Sequence, residues 1–157
     1  MIALLHRGAE HGAVERYLDQ LASALGDEAV VVREESLPRL VRSLRRLRPS
    51  VAHVIDVWPQ AFLAARLARV PRVLVTHHTP ALPRRDNRAG RFWQRLGWAT
   101  RPEVIYTSEA DRAEDGREPS HVIPLGIDVE RFADARPALD TDRPIVGSVG
   151  RLAEQKG

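Results

Sequence analysis

Four short stretches of this 157-residue chain bring together residue types that bind anions or move charge. The strongest lies near the C-terminal end, where the apolar run Pro144-Ile145-Val146-Gly147-Ser148-Val149 leads into Gly150-Arg151-Leu152-Ala153-Glu154-Gln155-Lys156-Gly157. Glycine lets backbone N–H groups approach a ligand closely, and an arginine and a lysine neutralise it, so the loop has the make-up of a phosphate cradle. Spacing alone favours an ordinary charged loop. The second stretch is the turn His11-Gly12-Ala13 after the first apolar run. The third is Thr76-His77-His78-Thr79, two imidazoles and a hydroxyl able to hydrogen-bond a ligand or stabilise developing charge. Successive residues of a strand point to opposite faces, so the adjacent histidines are poor candidates for one shared metal. The fourth is Ser108-Glu109, a hydroxyl that either caps a helix or reaches a ligand.

The elements that must carry these groups alternate along the chain. Ile2 to Leu5 reads as a strand. Val14, Tyr17, Leu18, Leu21, Ala22 and Leu25 follow the spacing of one buried helical face, and Gly26 stops that helix. Ala29-Val30-Val31-Val32 is a short β-branched run, and Ser36 is placed to cap a helix whose inner face is Leu37, Leu40, Val41, Leu44 and Leu47, with Pro49 after its end. Strands are expected at Val51-Ala52-His53-Val54-Ile55, Arg72 to Thr76, Val104 to Thr107 and His121 to Pro124. Helices are expected over 59–69, around Phe92, Trp93 and Leu96, and after Ser108. This alternation predicts an α/β fold: a Rossmann-like, doubly wound parallel sheet with flanking helices. Ligands of such sheets gather at the carboxyl ends of the strands, where Gly8 to Gly12, Asp56, His77 to Thr79 and Ser108-Glu109 fall. Residues 1–124 form the first domain, 125–143 read as a linker, and 144–157 read as the first strand and loop of a second domain.

Composition removes several classes of function. There is no cysteine, which excludes disulfides and thiolate metal sites. No window holds 18 uncharged apolar residues. The N-terminus lacks the pattern of a signal peptide, and a cytoplasmic protein is expected. The 24 basic residues face 21 acidic ones, for a net charge of +3, and Lys156 is the only lysine. Such balance and one-sided arginine usage argue against a nucleic-acid partner and for solvated arginine faces. No nucleophile elbow, Walker loop or zinc-protease helix is present, so hydrolase and P-loop readings have no support.

Two strings then carry a resemblance. Ile123-Pro124-Leu125-Gly126-Ile127-Asp128-Val129-Glu130-Arg131-Phe132 resembles the "IPNGID-x-x-x-F" segment of retaining GT-B glycosyltransferases of the family-four type, with Leu125 where that family often has Asn. Residues 149–157 resemble its "GRL-x-x-x-KG" segment, at a fitting interval. His11-Gly12-Ala13-Val14-Glu15 resembles its "GG-x-E" turn, with Ala13 in place of the second glycine. His78-Thr79 resembles its "H-T" pair, His53 lies in a run like its "DVVH" strand, and Tyr106-Thr107-Ser108-Glu109 is similar to "V-x-x-SE".

The resemblance implies a glycosyltransferase that moves a sugar from a nucleotide-sugar to an unknown acceptor with retention and without a metal or other cofactor. It implies that Gly12, Arg151 and Lys156 hold the donor phosphates. His78 is the implied catalytic group, and His77, Thr79, Ser108 and Glu109 the groups that contact acceptor or sugar. It places the rest of the donor pocket beyond Gly157, so the chain by itself is expected to turn over little or nothing. The apolar strand 145–149, with no parent sheet, is expected to be disordered, to pair along an edge or to swap into a dimer. The arginine face of residues 39–48 is a further candidate, for peripheral contact with anionic lipid. Two rival readings are a non-catalytic acceptor- or partner-binding module and another GT-B enzyme such as an epimerase.

Overall fold

The computed structural model describes residues 1–7, 13–78, 88–126 and 129–133. Six strands form one parallel sheet: β1 (Ile2–Leu5), β2 (Ala29–Val32), β3 (Val51–Ile55), β4 (Arg72–His77), β5 (Glu103–Tyr106) and β6 (Ser120–Val122). Their order across the sheet is β2-β1-β3-β4-β5-β6. The interleaved helices are α1 (Ala13–Leu25), α2 (Leu37–Leu47), α3 (Pro59–Leu67), α4 (Arg88–Trp98) and α5 (Glu109–Asp115). This is the Rossmann-like α/β architecture expected of the sequence. Met1–Leu125 forms one compact unit; Gly126–Gly157 is a separate one, whose described part holds the short helix α6 (Glu130–Ala133).

The strand order explains why the helices divide between two faces. From β1 the chain steps outward to β2, then returns past β1 to β3 and continues in that direction. Parallel crossovers are right-handed, so reversing the direction of travel puts the connecting helix on the other side of the sheet. Accordingly, among the described residues, α1 alone packs on the first face, where Leu18, Tyr17, Leu21 and Val14 meet Leu4, Ile55 and Val31. On the second face Leu40 and Leu44 of α2, and Ala61, Phe62, Ala64 and Ala65 of α3, pack on Ala3, Leu5, Ala52, Val54, Val73 and Val75. Strands covered on both faces read as continuous apolar runs, and His53 is the one polar residue inside β3.

Local signals decide the element ends. Gly26 has φ +52 and opens a single 3₁₀ turn that ends α1. At the start of α2, Ser36 occupies the capping position, but its hydroxyl makes no capping bond. This departs from the expected cap; the adjoining Pro38 begins the helix without needing a donor partner in its place. At the end of α2, Arg48 adopts the left-handed conformation (φ 50) and closes the helix through its N–H to the Leu44 carbonyl at 2.8 Å. Several elements are displaced slightly from expectation: β4 runs on to His77, β5 spans Glu103–Tyr106, β6 spans Ser120–Val122 and stops short of Pro124, and α3 ends at Leu67.

The third and fourth helices meet through backbone. A Cβ on Gly97 of α4 would lie 2.5 Å from the Cβ of Pro59 and 2.7 Å from its Cα. Only glycine allows this approach. Beside it the Phe62 and Trp98 rings pack at 5.2 Å, and Arg117 lies 4.0 Å over the Trp98 ring, joining the β6 edge to α4.

Candidate functional site

Reversal of direction at β1 leaves a crevice between the carboxyl ends of β1 and β3, the place where ligands settle in open parallel sheets. His6 follows β1, Asp56 follows β3, and His77 and His78 close β4. Helix α1, covering the first face, contributes Glu15 and Tyr17.

Strand register sorts these side chains. Leu4 pairs with His53 and His53 with Leu74, while Ile55 pairs with Thr76, so Leu4, His53, Ile55 and Thr76 share the α1 face. His53 is buried and lies with Nε2 2.7 Å from Thr76 Oγ1. Burial first, and the neighbouring His78 second, push its pKa down to about 4, so it is neutral at neutral pH. His53 is thus a supporting group beneath the crevice.

The ring of His78 meets Tyr17 edge-on at 4.7 Å. Its pKa is lowered: burial dominates, the Asp56 carboxylate opposes it, and His77 adds to the lowering. Its Nε2 is shielded from solvent and has no hydrogen-bond partner among the described residues. A neutral imidazole with a free ring nitrogen can give or take one hydrogen bond from a ligand hydroxyl. Asp56 is held beside it in the left-handed region (φ 67), with its Oδ1 accepting from Val57 N at 2.8 Å and its own N–H donating to Thr76 O at 3.1 Å. Aspartate tolerates that conformation better than most residues, and here it ties the ends of β3 and β4 together.

A second cluster lies at the end of β1. Glu15 accepts an ion pair from Arg33 at 2.5 Å and approaches His6 Nδ1 at 3.4 Å through its other oxygen. The His6 contact lacks hydrogen-bond geometry, so His6 Nδ1 and Glu15 Oε2 are both buried without a hydrogen-bond partner among the described residues. Buried polar atoms are nearly always satisfied, and such groups mark a place for a ligand or solvent. Residues 6, 15 and 33 are far apart in sequence. Only Glu15 fell within a recognisable motif; Arg33 and His6 had no signal except their positions at strand ends.

The sequence-predicted residues are distributed unevenly. His77 lies on the opposite face from His78, buried against Tyr106 at 5.8 Å, with its Nδ1 unpartnered among the described residues. The two histidines therefore diverge, as strand alternation requires. Ser108 caps α5, accepting from Asp111 N at 3.1 Å and donating to Asp111 Oδ2 at 2.7 Å. Glu109 is exposed and lies 3.9 Å from Arg112. Gly12, Thr79, Arg151 and Lys156 lie outside the described residues, as does the apolar run 145–149. Among the described residues no group of three or more histidine, aspartate or glutamate side chains could hold a metal, and no helix is long and apolar enough to cross a membrane.

Comparison with known proteins gives a family match. Residues 33–131 fit the family model described as Glycosyltransferase Family 4. No curated protein and no solved structure matches the chain. The matched segment holds His53, Asp56, His77, His78, Ser108 and Glu109 and runs from the end of β2 to α6. With a match over more than half of the sequence and a six-stranded parallel sheet of the kind that makes one half of a GT-B enzyme, the chain belongs to Glycosyltransferase Family 4.

Proposed function

We propose that this chain provides the acceptor-side domain of a glycosyltransferase that moves a sugar from a nucleotide-sugar to an acceptor hydroxyl with retention at the anomeric carbon. The observation that carries the reading is the crevice at the ends of β1, β3 and β4. There a neutral His78 with a free Nε2 stands beside Asp56, in a chain of this family. In this reading His78 hydrogen-bonds the sugar, and the acceptor lies over the same crevice. His77, Thr79, Ser108 and Glu109 are carried forward as contacts to acceptor or sugar. When the sugar–phosphate bond breaks, the electron pair stays on the diphosphate. The cations of Arg151 and Lys156, with backbone N–H groups near Gly12, stabilise that charge where it develops.

Calorimetric titration with several nucleotide-sugars and free nucleotides tests the donor half of the reading. Binding that is lost in Arg151→Ala and Lys156→Ala supports it; donor binding indifferent to both changes overturns it. The stereochemistry is tested separately, on the enzyme that turns over, by the anomeric configuration of the first product. An inverted product removes retention and leaves the family assignment standing.

A further inference from the structure

The end of the sheet opposite the crevice, where β3 and β4 begin, carries a feature that the proposed transfer reaction does not use. A groove of about 890 Å³ opens where α2 and α3 end and β3 and β4 begin. Arg45, Arg48 and Arg69 line it, over a floor that includes Pro49, Val70 and Pro71. No carboxylate lines it among the described residues.

Two of its three arginines differ from their neighbours in being uncommitted. Arg72 is held by Glu103 at 2.9 Å, and Arg66 donates to the carbonyls of Thr100, Pro71 and Arg101. Arg45 spends one N–H on the Leu67 carbonyl at 3.1 Å. The guanidinium groups of Arg48 and Arg69 have no hydrogen-bond or ion-pair partner among the described residues. Both residues sit in the left-handed region, at φ 50 and φ 60. Glycine is the unstrained choice there, so arginine is held at some conformational cost.

A competing explanation is that these cations offset the negative ends of α2 and α3. The magnitudes decide against that as their whole role. Each helix end carries roughly half a negative charge. Three full positive charges exceed the two ends together, and the groove stays net positive. Its size falls in the range of about 300–1,000 Å³ that holds a small organic ligand, more than a bare phosphate needs.

We infer that this groove binds an organic phosphate, with the phosphate on the guanidinium groups of Arg45, Arg48 and Arg69 and the organic part on Pro49, Val70 and Pro71. Planar guanidinium groups pair with two phosphate oxygens at once, which suits them to this ligand class. The phosphate belongs to a soluble ester or to a lipid headgroup, and the test separates the two. This site is distinct from the donor-phosphate residues proposed above.

The experiment uses the full chain with Arg151→Ala and Lys156→Ala already introduced, so that diphosphate binding there cannot be mistaken for the groove. Inorganic pyrophosphate is titrated by calorimetry at low ionic strength. Two double variants are compared, each checked for fold by circular dichroism. Arg48→Gln with Arg69→Gln is expected to weaken binding at least tenfold. Arg39→Gln with Arg42→Gln removes the same charge from α2 outside the groove and is expected to change it less than threefold. Equal weakening in both, or no binding by the starting chain, overturns the inference. Cosedimentation with phosphatidylcholine vesicles containing phosphatidylglycerol then assigns the source. Vesicle binding lost only in the groove variant points to a lipid headgroup, and pyrophosphate binding without vesicle binding points to a soluble ester.

Discussion

His53 Nε2 and Thr76 Oγ1 lie 2.7 Å apart, bridging β3 and β4 diagonally beneath the crevice. The pair satisfies the one polar side chain inside β3 and fixes the strand whose next residues are His77 and His78. It also gives acid sensitivity. The folded pKa of His53 is about 4, against an unperturbed 6.5. Between those values the unfolded chain binds a proton that the folded chain does not, so stability falls as pH drops from about 6.5 to about 4. The loss has an upper bound of about 3 kcal/mol. Denaturant unfolding across this window should show that slope, and His53→Gln should flatten it while lowering stability at pH 7. Parallel curves for the two proteins would remove His53 as the cause.

Gly97→Ala sets two known effects against each other. In an exposed helix the change stabilises by about 1 kcal/mol. Here the new methyl meets Pro59 backbone atoms at 2.7 and 2.8 Å, which cannot rotate away. Overpacking of this kind costs about 1–3 kcal/mol, so net destabilisation is expected. Thermal unfolding should occur several degrees lower, at about 2–4 °C per kcal/mol for a chain of this size. An unchanged or raised midpoint would mean that α3 and α4 separate without cost.

Tyr106 joins β5 to the end of α5. Its hydroxyl donates to Asp115 Oδ2 at 2.6 Å and accepts from Arg117 N at 3.3 Å. Burial, aided by Asp115, raises its pKa, so it stays protonated and remains a donor. Tyr106→Phe should cost about 1.5–2 kcal/mol, the lower part of the range for a bond to a charged group. Asp115 keeps its pairing with Arg117 at 3.0 Å and is not left alone. A double-mutant cycle with Asp115→Asn should return most of that cost as coupling energy; additive losses would assign it to packing instead.

The fold was legible because parallel strands and amphipathic helices leave periodic traces. The helical spacing of Val14, Tyr17, Leu18 and Leu21 named the face that α1 buries, and the Leu37 to Leu47 series did the same for α2. Other features leave no such trace. Gly97 is an ordinary glycine in sequence; its role comes from a neighbour, Pro59, in another helix. In α4 Gly97 is buried while Phe92 is exposed, because the close approach of Pro59 selects a small residue over an apolar one at Gly97. Glu15, His6 and Arg33 converge only because β1 and β2 are adjacent and α1 packs over them. Pairing of that kind is set by topology, and no local pattern records it.

His78 supplies the sharpest functional test. With its pKa lowered by burial, its ring is neutral at neutral pH and protonates only at a pH below the usual histidine value. If it hydrogen-bonds the sugar through Nε2 as an acceptor or from a neutral tautomer, as proposed, glycosyl transfer should be flat near pH 7. It should fall on the acid side, as the ring gains a proton. His78→Ala should lower kcat about a hundredfold, the usual loss for one positioned hydrogen-bonding group, and abolish that acid limb. Tyr17→Leu offers a gentler probe, since it removes the edge contact at 4.7 Å but leaves both ring nitrogens in place. It should shift the acid limb toward the ordinary histidine pKa as solvent reaches the ring. A His78→Ala enzyme that keeps the same acid limb would show that another group controls the pH dependence. Full activity in that variant would remove His78 from the transfer step.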